Sequence, residues 1–345
     1  MNFSNLLLHW YLHHKRDLPW RNTKNPYSIW LSEIMLQQTR VAQGTPYYLK
    51  FVTAFPTVFD LANANEDTVL KLWQGLGYYS RARNLHQTAK HVAFELKGVF
   101  PETYTNLLKL KGVGEYTAAA IASFAYNEVV PVVDGNVFRV LARYFDIETD
   151  IASAVAKNEF SKLAQMLIPA DNPAEFNQAI MEFGALQCVP KNPNCNACIF
   201  NSSCAALANK KVAQLPIKLK KTKVTNRFLN YLIFIDGKHK TQIKQRLEKG
   251  IWQHLYEFPC IETDCEENET SVVHKINAQF ASLNIKQIVI FNNKPIIHKL
   301  SHQKLYINFF EVQIDCALDN GIAINNITEF AFPVVIYNFI EKYLK

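Results

Sequence analysis

LKLKGVGEYTAAAIASFAY, residues 108–126, has a helical approach, a turn with two glycines and an alanine-rich helix. Gly112 and Gly114 permit positive φ and a close approach to the backbone. The helix that follows presents unpaired N–H groups at its start. Together these features make an anion seat suited to a phosphate. Alone, a Gly-x-Gly turn is an ordinary helix–turn–helix connection, so its surroundings decide the reading. Twenty residues beyond Gly114 comes VVDGNVFRVLARYF (132–145), where Asp134 and Gly135 turn the chain into another helix carrying Arg139 and Arg143.

Further on, CVPKNPNCNACIFNSSC (188–204) gathers four of the seven cysteines at the spacing Cys188-x6-Cys195-x2-Cys198-x5-Cys204. Disulfide frameworks belong to small secreted domains. This chain has 345 residues, and its N-terminal apolar patch, LLLHWYLHH (6–14), is short, broken by histidines and lacks a small-residue cleavage site. A reduced cytoplasmic setting is therefore expected, and the cluster reads as a metal site. Four thiolates hold either a structural zinc or a four-iron cluster, and spacing alone leaves both open.

Length and a 49% hydrophobic composition suit two domains with sizeable cores. No apolar run approaches the length of a membrane span. The net charge of +7 is unevenly spread: residues 1–224 hold 24 Lys+Arg against 17 Asp+Glu, and residues 225–345 hold 13 of each. A basic first part suggests a polyanionic partner, nucleic acid among the candidates, although a mild excess also fits a solvated surface. Helical periodicity fills residues 1–205. Residues 206–227, within which KKVAQLPIKLKKTKVTNR (210–227) is basic and lacks an amphipathic pattern, read as a linker. Residues 228–345 change texture. FLNYLIFI, TQIKQR, QIVIFN and KLYINFFEVQI are rich in β-branched and aromatic residues, while SVVHKINAQFASL and VVIYNFIEKYLK read as helices. An α+β second domain follows.

LKGVGEYTA, VVDGNV and the cysteine spacing together resemble the helix-hairpin-helix DNA glycosylases that carry an iron–sulfur cluster. The resemblance implies an all-α helix-hairpin-helix glycosylase domain with a 4Fe-4S cluster held by Cys188, Cys195, Cys198 and Cys204, followed by an α+β Nudix-like domain. It also implies a hairpin at Gly112 and Gly114 that grips a DNA phosphate, a catalytic Asp134, and a backbone-binding tab from Pro190 to Asn194 with Lys191. RDLPWR (16–21) and WLSEIMLQQTRVA (30–42) resemble the MutY-type adenine glycosylase branch closely and the endonuclease III branch poorly.

Asn25 and Pro26 read as the cap and first turn of a helix that carries Glu33 among Ile29, Trp30 and Leu36. A carboxylate in such company is either paired, with Arg40 as the nearby candidate, or desolvated and protonated near neutral pH. In the resembled branch a protonated Glu33 donates to adenine N7, while Asp134 stays ionised beside an oxocarbenium-like sugar, as in two-carboxylate glycoside chemistry. Asn136 resembles a residue that organises this carboxylate. Asp134 also reads simply as a helix cap, and the two roles are compatible. The bifunctional branch has a Schiff-base lysine where this chain has Tyr116, so no lyase nucleophile is evident.

Gln38 and Tyr78, the latter in GLGYYSR near Arg81 and Arg83, match positions that enter the base stack. Leu18, Trp20, Arg21 and Glu182 match adenine-pocket positions. In the second domain GIWQHLYEFP (250–259) resembles a Nudix-like lesion-reading module, yet the REUxEExGU hydrolase box is absent and EENE (266–269) reads as a solvated loop. Where the branch has Phe-Ser-His in its lesion-reading loop, this chain has Leu300-Ser301-His302. The expectation is a monomeric, monofunctional adenine glycosylase in the bacterial cytoplasm and nucleoid. It would act on double-stranded DNA with adenine opposite 8-oxoguanine or guanine. The alternatives are an endonuclease III-like pyrimidine glycosylase with lyase activity and a non-catalytic iron–sulfur DNA-binding module.

Overall fold

The computed structural model of the chain describes residues 2–219 and 223–344. Its helices are α1 Phe3–His14, α2 Pro26–Leu36, α3 Val41–Ala54, α4 Val58–Asn63, α5 Glu66–Trp73, α6 Ser80–Lys90, α7 Tyr104–Leu107, α8 Glu115–Tyr126, α9 Gly135–Phe145, α10 Ala154–Leu167, α11 Pro173–Leu186 and α12 Ala205–Ala208, with α13 Glu269–Gln279 and α14 Val334–Tyr343 later in the chain. The strands are β1 Thr225–Ile235, β2 Lys240–Thr241, β3 Lys244–Gln245, β4 Tyr256–Glu257, β5 Cys260–Thr263, β6 Ile285–Ile290, β7 Ile296–Lys299, β8 Gln303–Ile314 and β9 Ile322–Ala323. Two compact units result. The described residues of Met1–Asn63 and Asn84–Lys220 make the first, and those of Ala64–Arg83 and Lys221–Lys345 make the second.

The first unit is helical because its sequence supplies caps where helices must begin. Asn25 accepts from the amides of Tyr27 and Ser28 with Pro26 at the first position of α2, and Asp134 accepts from those of Asn136 and Val137 at the start of α9. Asn127 in the left-handed conformation closes α8. The core joins α1, α9, α10 and α11 through Leu7, Trp10, Val140, Phe160, Phe176 and Phe183. Two glycines beside the hairpin and the start of α9 leave no room for a side chain. Gly112 has φ +76°, and a Cβ there would lie 2.7 Å from Asn84 Cβ; on Gly184 it would lie 2.7 Å from Asn136 Cβ and 2.9 Å from the Asn136 carbonyl oxygen. Gly184 thus lets α11 touch the start of α9.

In the second unit a sheet runs β5-β1-β8-β6, with β7 also paired to β8. β1 and β8 are parallel over their full register, from Thr225 opposite Gln303 to Ile235 opposite Gln313. β1 is buried continuously from Leu229 to Phe234, as a strand covered on both faces is, whereas β8 alternates, with Asn308, Glu311 and Gln313 on its less buried side. Leu232, Phe234, Phe310 and Val312 join a core with Val272 and Ile276 of α13. On α14, Phe339 stacks on Phe309 at 3.9 Å.

Three readings differ in detail. TQIKQR does not make one strand: Thr241 ends the two-residue β2, which follows a turn held by Asp236 and pairs with β9, and Lys244 and Gln245 form β3, which pairs with β4. EENE is not simply a solvated loop. Asn268 caps α13, Glu269 is its first residue, and Glu267 pairs with Lys275 and Ser271. Within 206–227, α12 continues to Ala208, Leu215 is buried in the first unit's core and β1 begins at Thr225; residues 220–222 lie outside the described residues. Among the described residues, no helix is long and apolar enough to cross a membrane.

Candidate active site and cluster loop

The segment 16–21 before α2, together with α2, α8, α11, the first turns of α3 and α9 and the Asp134 cap, lines one cleft of about 640 Å³ in the first unit. Leu18, Trp20, Arg21, Glu33, Tyr116, Asp134, Asn136 and Glu182 all lie on its wall. Glu33 is only 6% exposed. Its partner is not Arg40 but Tyr116, whose hydroxyl donates to Glu33 Oε2 at 2.8 Å. Burial pushes the Glu33 carboxyl up to about 7; the nearby Asp134 charge adds to this, while the Tyr116 hydrogen bond and Arg21 oppose it. Burial also holds the Tyr116 phenol well above its ordinary value, so the hydroxyl stays a donor.

Asp134 is differently served. Its Oδ1 accepts from the amides of Asn136 and Val137, both at 2.8 Å, and its Oδ2 from the Asn136 side chain at 2.7 Å. Burial raises its pKa, but these bonds and Arg139 work against the rise. Helix cap and candidate catalyst are therefore one side chain. The two carboxyls meet unlike surroundings: Glu33 has one hydroxyl donor, whereas Asp134 has three nitrogen donors that favour the anion. Asn136 is held in turn by Arg139, which donates to its Oδ1 at 2.8 Å and to the carbonyls of Gly184 and Cys188, each at 2.7 Å.

Glu182 is spent on structure. It is 1% exposed, and burial alone would raise its pKa, but Arg16 and Arg21 take both its oxygens at 2.6–2.9 Å and bring it down to about 2. It fixes two guanidinium groups in the wall. Gln178, one helical turn earlier on α11, also lines the cleft, with its oxygen accepting from the Tyr11 hydroxyl at 2.7 Å. Sequence reasoning passed over Gln178 and Arg16; the i, i+4 relation of Gln178 to Glu182 was the signal available.

Gln38 is exposed beyond the end of α2 with φ +57°, a strained conformation of the kind that collects at functional sites. In the hairpin, Gly112 and Gly114 donate no backbone hydrogen bond among the described residues, as an anion seat requires. Lys191 is exposed on its loop and does not line the cleft, although neighbouring Pro190 does. In the second unit Tyr78, 50% exposed with φ +49°, has its hydroxyl 2.5 Å from Ser301 Oγ. His302 is exposed beside Ser301 in the turn between β7 and β8. Arg81 lies over the rings of Trp73 and Tyr78, and Arg83 bonds to Gln253, so Arg83 is engaged within the protein.

Cys188, Cys195, Cys198 and Cys204 border one small, apolar pocket of about 30 Å³. Among the described residues no three His, Cys, Asp or Glu side chains are grouped to hold a single metal ion. Four thiols bordering one pocket are the donor set that a four-iron cluster takes. The surroundings suit a negatively charged cluster. Buried Arg143 makes no carboxylate ion pair among the described residues; it donates to Cys188 Sγ at 3.4 Å and to the carbonyls of Val189, Pro190 and Leu215 at 2.8–3.0 Å. The Phe200 amide donates to Cys198 Sγ at 3.4 Å.

Residues 31–166 match the HhH-GPD superfamily of base excision DNA repair proteins, and residues 230–342 match the NUDIX domain. An adenine DNA glycosylase of Buchnera aphidicola subsp. Baizongia pistaciae is 39% identical over 308 residues, covering 89% of this chain and 84% of that one. The Homo sapiens adenine DNA glycosylase is 46% identical over 213 residues, 59% of this chain and 39% of its own length. Among solved structures, a thermostable thymine-DNA glycosylase superposes with a TM-score of 0.56 at 29% identity, over 60% of this chain and 95% of its own.

Proposed function

This chain belongs to the adenine DNA glycosylases, and we propose that it removes adenine paired with 8-oxoguanine or guanine in double-stranded DNA, leaving the sugar–phosphate strand intact. The observation that carries this reading is the pairing, in one cleft, of a carboxyl held near neutrality by burial with a carboxylate supplied with three donors. Glu33 gives its proton to adenine N7. The C1′–N9 bond then breaks with its electron pair leaving on the base. Asp134, kept anionic and oriented by Asn136, faces the cationic sugar until water adds at C1′ and gives its proton to the Glu33 carboxylate, which restores the acid. Tyr116 holds Glu33 Oε2, so Oε1 is the oxygen that carries the proton. Leu18 and Trp20 supply apolar wall, and Arg16, Arg21 and Gln178 its polar part.

Gly112 and Gly114 serve a backbone phosphate, Lys191 a second phosphate contact, and Gln38 and Tyr78 fill the gap left by the extruded base. Ser301 and His302 read the base opposite adenine. The four cysteines hold a 4Fe-4S cluster that fixes the Cys188–Cys204 loop, with Arg139 and Arg143 tying that loop to α9. The protein acts as a monomer in the bacterial cytoplasm.

Duplexes with A:8-oxoG, A:G and thymine glycol, incubated with excess protein and divided before alkali, test the reading. Free adenine from the first two and breakage only after alkali are expected. Borohydride trapping of an enzyme–DNA adduct as a major product would overturn the monofunctional assignment, because Tyr116 has no amine for a Schiff base. Protein purified without oxygen should be brown with about four irons per chain. Cys198→Ser should lose iron and DNA affinity together, and stoichiometric zinc in the wild type would sink the cluster assignment.

A further inference from the structure

The second unit contains a closed circuit of contacts through Tyr78 that no role assigned above uses. Glu66 at the start of α5 and Arg83 in the first turn of α6 flank the Tyr78 loop on either side. Both reach neighbouring residues of one short hook. Glu66 Oε1 lies 2.5 Å from His254 Nδ1, and Arg83 donates to the Gln253 carbonyl at 2.6 Å and to its Oε1 at 3.2 Å. The hook is strained, with Trp252 at φ +60° and His254 at φ +67°, conformations that non-glycine residues keep only when the surroundings enforce them. Trp252 is buried and its ring lies 5.9 Å from that of His298 on β7. β7 leads directly into the turn bearing Ser301, and Ser301 returns to the Tyr78 hydroxyl.

We propose that the Trp252–His254 hook is a positioning device that fastens the wedge residue Tyr78 to the lesion-reading turn, so that recognition of 8-oxoguanine and insertion of Tyr78 occur as one event. Arg83, Glu66, Gln253 and His254 act through Tyr78 and Ser301 and need touch no DNA. This rests on the lesion reading proposed above. A Tyr78 loop tethered at both ends loses less freedom on entering the duplex, and only a partner base that engages the Ser301 turn gains from that tether.

Single-turnover rates of Arg83→Ala on A:8-oxoG and A:G duplexes test the device, together with the fluorescence of 2-aminopurine placed beside 8-oxoguanine, which reports unstacking by the wedge. Loss of a charged donor to two acceptors should lower the A:8-oxoG rate about tenfold and leave A:G within about twofold. The fluorescence rise should disappear, and Arg83→Lys, which still offers one donor to the Gln253 carbonyl, should recover most of both signals. In a Tyr78→Ala background the Arg83 change should add nothing. Glu66→Ala, which cuts the other anchor, should repeat the pattern and serves if Arg83→Ala folds poorly. Equal losses on both duplexes, or an unchanged ratio, would overturn the hook alone. Wild-type protein that treats the two duplexes alike would overturn the lesion reading and the hook with it.

Discussion

Glu33→Gln should slow adenine release at saturating protein by roughly a hundredfold to ten-thousandfold, the span that a positioned general acid contributes. The amide keeps the side chain's shape and can still accept from Tyr116, but it has no acidic proton for N7. Binding of an uncleavable A:8-oxoG duplex should stay near wild type, because affinity comes from phosphate contacts and inserted side chains. Stability offers a separate check with a definite sign. The folded pKa of Glu33 is raised to about 7 from an ordinary carboxyl value near 4.5. Stability linked to this group is therefore full below the unfolded value and is lost as pH rises through the folded one. Glu33→Gln, which cannot ionise, should melt at or above the wild-type temperature at pH 8. A slow variant that also melts early would mark Glu33 as structural, and near-wild-type excision would remove it from the chemistry.

Asp134→Asn should cost at least about a hundredfold in the same assay, the usual scale for removing one preorganised electrostatic stabiliser. Its carbonyl oxygen can still accept from the amides of Asn136 and Val137, so the α9 cap survives with little loss. What disappears is the charge facing the sugar. A second consequence is local: the new amide NH2 meets the Asn136 side-chain NH2, which the carboxylate now receives at 2.7 Å. Two donors face each other, and the line from Asn136 through Arg139 to the Cys188 carbonyl should loosen. Iron content should hold while the rate falls. Simultaneous loss of iron and rate would assign Asp134 to the architecture of the cluster loop instead.

The helical half was legible because its signals are local. A cap followed by proline, an alanine-rich run after paired glycines, and Asp-Gly before an amphipathic stretch each fix a helix start without help from distant residues. The α13 and α14 helices and the long strands β1 and β8 were readable for the same reason. Short elements were not: β2 and β3 exist because they pair with β9 and β4, partners that lie outside TQIKQR and leave no periodic trace in it. At the site, burial of Glu33 followed from its neighbours on α2, but its partner did not. Tyr116 is 83 residues away, and nothing local distinguishes it from Arg40 as a partner. The commitment of Glu182 to Arg16 and Arg21 was likewise invisible, since it joins α11 to a segment 166 and 161 residues distant. Resemblance located the residue; the packing shows that its acceptors are already taken. Arg83, read as a residue near DNA, turned out to be bound to Gln253, 170 residues on.

The role of Glu33 as acid beside an ionised Asp134 is tested most directly by the pH dependence of the single-turnover excision rate on an A:8-oxoG duplex at saturating protein. With the Glu33 carboxyl near 7, the rate should be high below neutrality and fall about tenfold per pH unit well above it, as the acid form empties. The basic limb should vanish in Glu33→Gln, leaving a low, flat profile. A wild-type rate that stays level or rises from pH 6 to pH 9 would contradict the account.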